Sequence, residues 1–89
     1  MQTQFERKTE KRLLEQKCEI LKKIVSVNRK VYDEMCKMLE KAVSENEEGN
    51  VPEELEELFA VARWNYETTA RELWDIKCRI KTIVLDEEG

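Results

Sequence analysis

The side chains able to carry chemistry are few and scattered. Cys18, Cys36 and Cys78 are the only thiols, no histidine is present, and no CxxC pair occurs. A structural zinc needs Cys or His ligands converging on one point, and a nucleophilic thiol needs a base beside it. Three widely spaced cysteines without histidine point instead to free thiols in a reducing compartment. Lys17, Arg63 and Lys77 lie at the margins of apolar stripes and are the residues a small all-helical enzyme would use. Against that reading, no nucleophile has a partner base at a readable spacing and no Gly-rich phosphate loop exists. Lys17 reads more simply as a side chain whose methylenes lie on apolar neighbours while its ammonium reaches solvent.

Two further polar clusters have plain explanations. Glu53, Glu54, Glu56 and Glu57 crowd what reads as the first turns of a helix, where the macrodipole favours negative charge; a cation site would need their oxygens to converge. Ser44, followed by Glu45, Glu47 and Glu48, fits an acid-directed kinase, and a phosphate at a helix C-terminus would oppose the dipole and loosen the turn. Neither cluster predicts a catalytic residue, a cofactor or a metal.

The elements that position these residues are helices. From Leu13 to Val43 the chain has no Gly or Pro, and Leu14, Cys18, Leu21, Ile24, Val25, Val31, Tyr32, Met35, Met38, Leu39 and Ala42 recur in the three- and four-residue steps of one helical stripe. Leu13, Ile20 and Val27 widen that stripe beyond a dimeric coiled-coil seam, so one partner helix does not cover it. The period is lost at Asn46-Glu47-Glu48-Gly49-Asn50 and restarts at Pro52, with Asn50 as the expected N-cap. A second stripe follows: Leu55, Phe59, Ala62, Tyr66, Thr69, Ala70, Leu73, Ile76, Ile80, Ile83 and Val84. The predicted fold is all-α: an antiparallel hairpin of two long helices, assembling into a four-helix bundle or coiled-coil dimer. Its boundaries are a polar, projecting helical extension over 1–12, a helix over 13–45, a turn over 46–50 and a helix over 51–85.

Composition agrees. The 89 residues are 40% charged and 40% hydrophobic with two Gly and one Pro, the profile of long amphipathic helices. A single domain of this size buries only about 60 to 65 per cent of its unfolded surface, and oligomerisation is a common remedy. The longest apolar run, Leu58 to Ala62, falls far short of the roughly 20 residues of a membrane span. The start, MQTQFERKTEKR, lacks the apolar stretch of a signal peptide, and no Asn-x-Ser/Thr sequon occurs. The expected location is intracellular, in cytoplasm or nucleus.

Charge is unevenly spread. Residues 1–30 hold nine Lys/Arg and four Asp/Glu, a net +5; residues 31–60 hold two and ten, a net −8; residues 61–89 hold five and six, a net −1. The basic third supports nucleic-acid or anionic-surface binding as the alternative function, through Arg7, Lys8, Lys11, Arg12, Lys22, Lys23, Arg29 and Lys30. Interleaved Glu6, Glu10, Glu15 and Glu19, with a sequence pI near 5.0, dilute that footprint.

Two groups of residues are left for interaction. Asn28 sits at the midpoint of residues 13–43, in the heptad position of Leu14, Leu21, Met35 and Ala42, where a lone Asn costs stability but fixes register. An antiparallel homodimer would set Asn28 against its own copy and the basic third against the acidic third; otherwise Asn28 is hydrogen-bonded within its own chain or stands at the stripe edge in water. Leu14, Leu21, Ile24, Asn28, Val31, Met35 and Met38 form the expected self-association surface. Val61, Trp64, Trp74, Cys78 and Leu85 fall outside the second stripe and form the expected partner-binding surface, unless they close a wider bundle with the first helix. The predicted function is a non-catalytic, self-associating protein–protein interaction module, structural or adaptor, that offers a Trp-containing helical face to a partner protein.

Overall fold

Thr3 opens the first helix. In the computed structural model, which describes residues 3–46 and 48–88, its hydroxyl accepts from the Glu6 amide at 3.1 Å, and the Arg7 amide donates to its carbonyl. Thr3 and Glu6 have the spacing of a capping box, which satisfies amides that the first helical turn leaves without partners. From there α1 (Gln4–Glu45) runs 42 residues unbroken. Residues 4–12 are therefore not a separate projecting extension. Arg79 of the return helix reaches Glu10 at 2.8 Å, so the first turns of α1 lie beside the last turns of its partner.

Asn46 ends α1 and shapes the turn. Its side-chain oxygen accepts from the Glu48 amide, its amide donates to the Asn50 carbonyl at 2.6 Å, and its own carbonyl accepts from the Gly49 amide. Gly49 stands at φ +71, a conformation that favours glycine because it has no Cβ to clash. The expected N-cap at Asn50 is displaced: the amides of Leu55 and Glu56 donate to the Pro52 carbonyl, and Asn50 instead donates to Glu48. The turn consequently extends to Pro52, and α2 (Glu53–Glu88) runs 36 residues. Glu53, Glu54 and Glu56 occupy its first turn, where the helix dipole stabilises them.

The two helices pack as an antiparallel hairpin about 64 Å long and 18 by 16 Å across. The seam on α1 is Leu14, Cys18, Leu21, Val25, Asn28, Tyr32, Met35, Leu39 and Ala42, all buried or half-buried. On α2 it is Leu55, Phe59, Ala62, Tyr66, Thr69, Leu73, Ile76, Ile80 and Ile83. Both lists step strictly by four and three, the heptad of a coiled coil. Cys18, Leu21 and Ile76 form the buried centre, with Leu14, Leu73 and Ile80 packed on it. Ile83 is the most buried residue of the core, at 2% exposure. Toward the turn, Tyr32 stacks on Tyr66 with ring centroids 5.7 Å apart and tilts against Phe59 at 5.5 Å.

Candidate functional site

Covering one stripe of a two-seam helix leaves the other in water. Immediately before the seam positions of α1 stand Leu13, Ile20, Ile24, Val27, Val31 and Met38, and every one is exposed. The contrast is sharpest in a single step, with Leu21 at 5% exposure and Ile20 at 60%. Stepping back one residue rotates a side chain by about 100°, so these six form a second stripe along one flank. Lys17 and Glu34 occupy the two remaining positions of that stripe and are exposed as well.

In an antiparallel pair the residue preceding a seam position turns toward the same flank on both helices. The Glu10–Arg79 ion pair demonstrates it, because Glu10 precedes the half-buried Lys11 and Arg79 precedes Ile80. Leu58 and Val61, before Phe59 and Ala62, are exposed on that flank and continue the apolar surface onto α2 near the turn.

The seven residues expected for self-association divide accordingly. Leu21 is buried, and Leu14, Asn28 and Met35 are half-buried in the intrachain seam; Ile24, Val31 and Met38 lie on the open flank. Asn28 takes the within-chain option. Its side-chain amide donates to Thr69 Oγ1 at 3.2 Å and to the Asn65 carbonyl at 3.4 Å. The sequence placed Leu13, Ile20 and Val27 in one widened stripe, whereas they lie on a separate, exposed one. Their own heptad spacing, offset by one residue from Leu14, Leu21 and Asn28, is the signal that would have separated them.

The partner-binding set also divides. Val61 belongs to the open flank, whereas Trp64, Cys78 and Leu85 stand seven or fourteen residues apart on the back of α2, all exposed. Trp74 leans toward the opposite flank. The two indoles are 66% and 67% exposed and lie about 15 Å apart along the helix axis, separated by Arg71 on the same back row. They do not fold back onto α1.

Among the described residues, four ion pairs lie within single helices. Lys22 bonds Glu19 at 3.0 Å, Lys37 bonds Glu34 at 3.3 Å, Arg63 bonds Glu67 at 3.0 Å, and Lys41 approaches Glu45 at 3.9 Å. A three-residue step serves as well as four on a helix surface. Hydrogen bonding with its acidic partner raises Lys22 and Arg63 above their ordinary pKa values. Of the basic residues near the start, Arg7 and Lys11 are half-buried toward the seam while Lys8, Arg12, Lys23, Arg29 and Lys30 face solvent, so they form no single basic face.

Lys17 and Lys77 are exposed, and Arg63 is held by Glu67. Cys18 is buried, Cys36 half-buried and Cys78 exposed, each a free thiol. Tyr32 is raised above the ordinary phenol value, chiefly by hydrogen bonding with Cys36 one turn along. Ser44 is exposed and donates to the Lys41 carbonyl at 3.0 Å. Among the described residues no three His, Cys, Asp or Glu side chains are grouped to hold a metal, and no helix is long and apolar enough to cross a membrane. Protein-family models, curated proteins and solved structures were each compared with the chain, and none matches.

Proposed function

We propose that this chain is a non-catalytic protein–protein interaction module that self-associates through α1 and presents the Trp64/Trp74 side of α2 to a partner protein. The observation that carries the reading is the uncovered stripe of Leu13, Ile20, Ile24, Val27, Val31 and Met38. Large aliphatic side chains gain about 1.5 to 3 kcal/mol each when fully buried. Six of them in one row on a 42-residue helix represent a strong drive toward cover that the return helix does not supply. Isolated exposed hydrophobes are ordinary, but six in one row, interrupted only by Lys17 and Glu34, mark an interaction site. The back of α2 serves a different contact, because its indoles lie away from the flank and lack the heptad continuity of α1.

Light scattering on the purified chain tests self-association: a mass of two chains or more supports it, and a monomer at all concentrations refutes it. Ile20→Ser with Val31→Ser should convert the assembly to monomer while leaving the helical content intact, because both residues lie outside the hairpin seam.

A further inference from the structure

The open stripe reads the same in both directions. Its positions are 13, 17, 20, 24, 27, 31, 34 and 38, and they are symmetric about the midpoint between Val25 and Ser26. We infer that the occupant of this stripe is a second copy of the chain, laid antiparallel across a two-fold axis passing between Val25 and Ser26. This rests on the self-association reading above and specifies its geometry. Across that axis Leu13 meets Met38 of the second copy, Ile20 meets Val31, and Ile24 meets Val27. The two polar interruptions also meet each other, Lys17 of one copy against Glu34 of the other, at two symmetric places.

Other registers do not share this property. Sliding the copies by one heptad in one direction sets Lys17 against Val27 and Met38 against Glu6; sliding in the other sets Glu34 against Ile24 and Lys17 against Lys41. Parallel pairing stacks Lys17 on Lys17 and Glu34 on Glu34, and like-charge contacts across an interface are disfavoured. Only the symmetric antiparallel register matches every apolar residue with an apolar one and both charges with their opposites. Continuing outward, Glu10 comes level with Lys41; like charges come near each other at the extremities, Glu6 with Glu45, and at the seam border, Lys23 with Lys30 of the second copy. Lys23 and Lys30 border the seam with their ammonium groups toward solvent.

The charge of the whole molecule favours the same arrangement. The turn end carries Glu45, Glu48, Glu53, Glu54, Glu56 and Glu57, whereas at the opposite end Arg7, Lys8, Lys11, Arg12, Arg79 and Lys81 nearly balance Glu6, Glu10, Asp86, Glu87 and Glu88. Antiparallel stacking keeps the acidic turns of the two hairpins apart, each beside the nearly balanced end of the other. Asn28 has no part in this seam, since its amide is engaged by Thr69 and Asn65 on the other side of α1.

Sedimentation equilibrium on wild type, Lys17→Glu, Glu34→Lys and the Lys17→Glu/Glu34→Lys double variant tests the register. Both exchanged residues are exposed in the hairpin, so the fold tolerates them. The expected result is a wild-type dimer, dissociation constants at least about tenfold weaker for each single variant, and recovery to near the wild-type value in the double variant. An equimolar mixture of the two single variants should form a heterodimer as tight as wild type. Single variants that dimerise like wild type, or a double variant no tighter than the singles, overturn the register while leaving self-association standing. A monomeric wild type overturns both.

A second readout is independent of charge. Spin labels on a chain without its native cysteines should lie level along the axis when placed at Ser26 and about 44 Å apart along it when placed at Glu40. Short distances at both sites would mean parallel pairing and would also overturn the register.

Discussion

The side-chain amide of Asn28 donates to Thr69 Oγ1 at 3.2 Å, joining the middles of the two helices by a side-chain hydrogen bond inside their seam. Thr69 does not depend on it, because its hydroxyl also bonds the Asn65 carbonyl at 2.8 Å and the Tyr66 carbonyl at 3.2 Å. The polar break in the α1 stripe is therefore a feature of intrachain alignment.

Replacing Asn28 by Leu should raise stability by about 1 kcal/mol, because a half-buried amide gives way to apolar surface and no buried partner is left stranded. Urea unfolding would show the higher midpoint. The dimer dissociation constant should stay unchanged, since position 28 faces α2; a changed assembly state would place Asn28 between chains instead.

Neighbouring residues on the two seams should respond differently. Leu21→Ala removes buried core and should cost roughly 2 to 3 kcal/mol of unfolding free energy. Ile20→Ala should leave the monomer within about 0.5 kcal/mol of wild type yet weaken dimerisation. Denaturation at concentrations below and above the dimer constant separates the two effects. Equal losses in both variants below that constant would contradict the assignment of faces.

The helical hairpin was legible in the sequence because breaker-free heptads and a Gly/Pro-containing gap specify it almost alone. What escaped was the division of α1 into a covered seam and an exposed stripe. Leu13 and Leu14, Ile20 and Leu21, Ile24 and Val25, and Val27 and Asn28 are adjacent pairs, and a single wide stripe absorbs both members of each until α2 is seen to choose one. The start of α1 was missed for a different reason. Residues 4–12 hold few apolar residues and their docking depends on a distant ion pair, Glu10 with Arg79, while the Thr3/Glu6 cap lies ahead of the stripe. The displaced start of α2 follows from Asn46, whose three hydrogen bonds within the turn draw the chain past Asn50.

Alkaline pH should destabilise the hairpin through Tyr32. The phenol's pKa in the folded chain is raised above the ordinary 10.0, so the neutral form is favoured by folding. Its contribution is complete below pH 10 and is lost as pH rises through the folded value. Lys22, raised above 10.5 by Glu19, acts in the same direction at higher pH. Tyr32→Phe keeps the ring between Phe59 and Tyr66 and should flatten the fall of stability above pH 10. An unchanged slope in a thermal-melt series would remove Tyr32 as its source.

Trp64→Ala with Trp74→Ala should leave the unfolding midpoint and the dimer constant close to wild type, since both indoles lie outside the two seams. Acrylamide should quench both indoles in the dimer as readily as in the monomer. Protection of either one on dimerisation would mean that the back of α2, too, lies in the self-association interface.

The most direct test of the central claim is the molar mass of the wild-type chain by sedimentation equilibrium across a wide concentration range. The exposed row from Leu13 to Met38 predicts a reversible dimer that the Ile20→Ser/Val31→Ser variant loses. A wild-type chain that stays monomeric throughout, with the row in water, would contradict it.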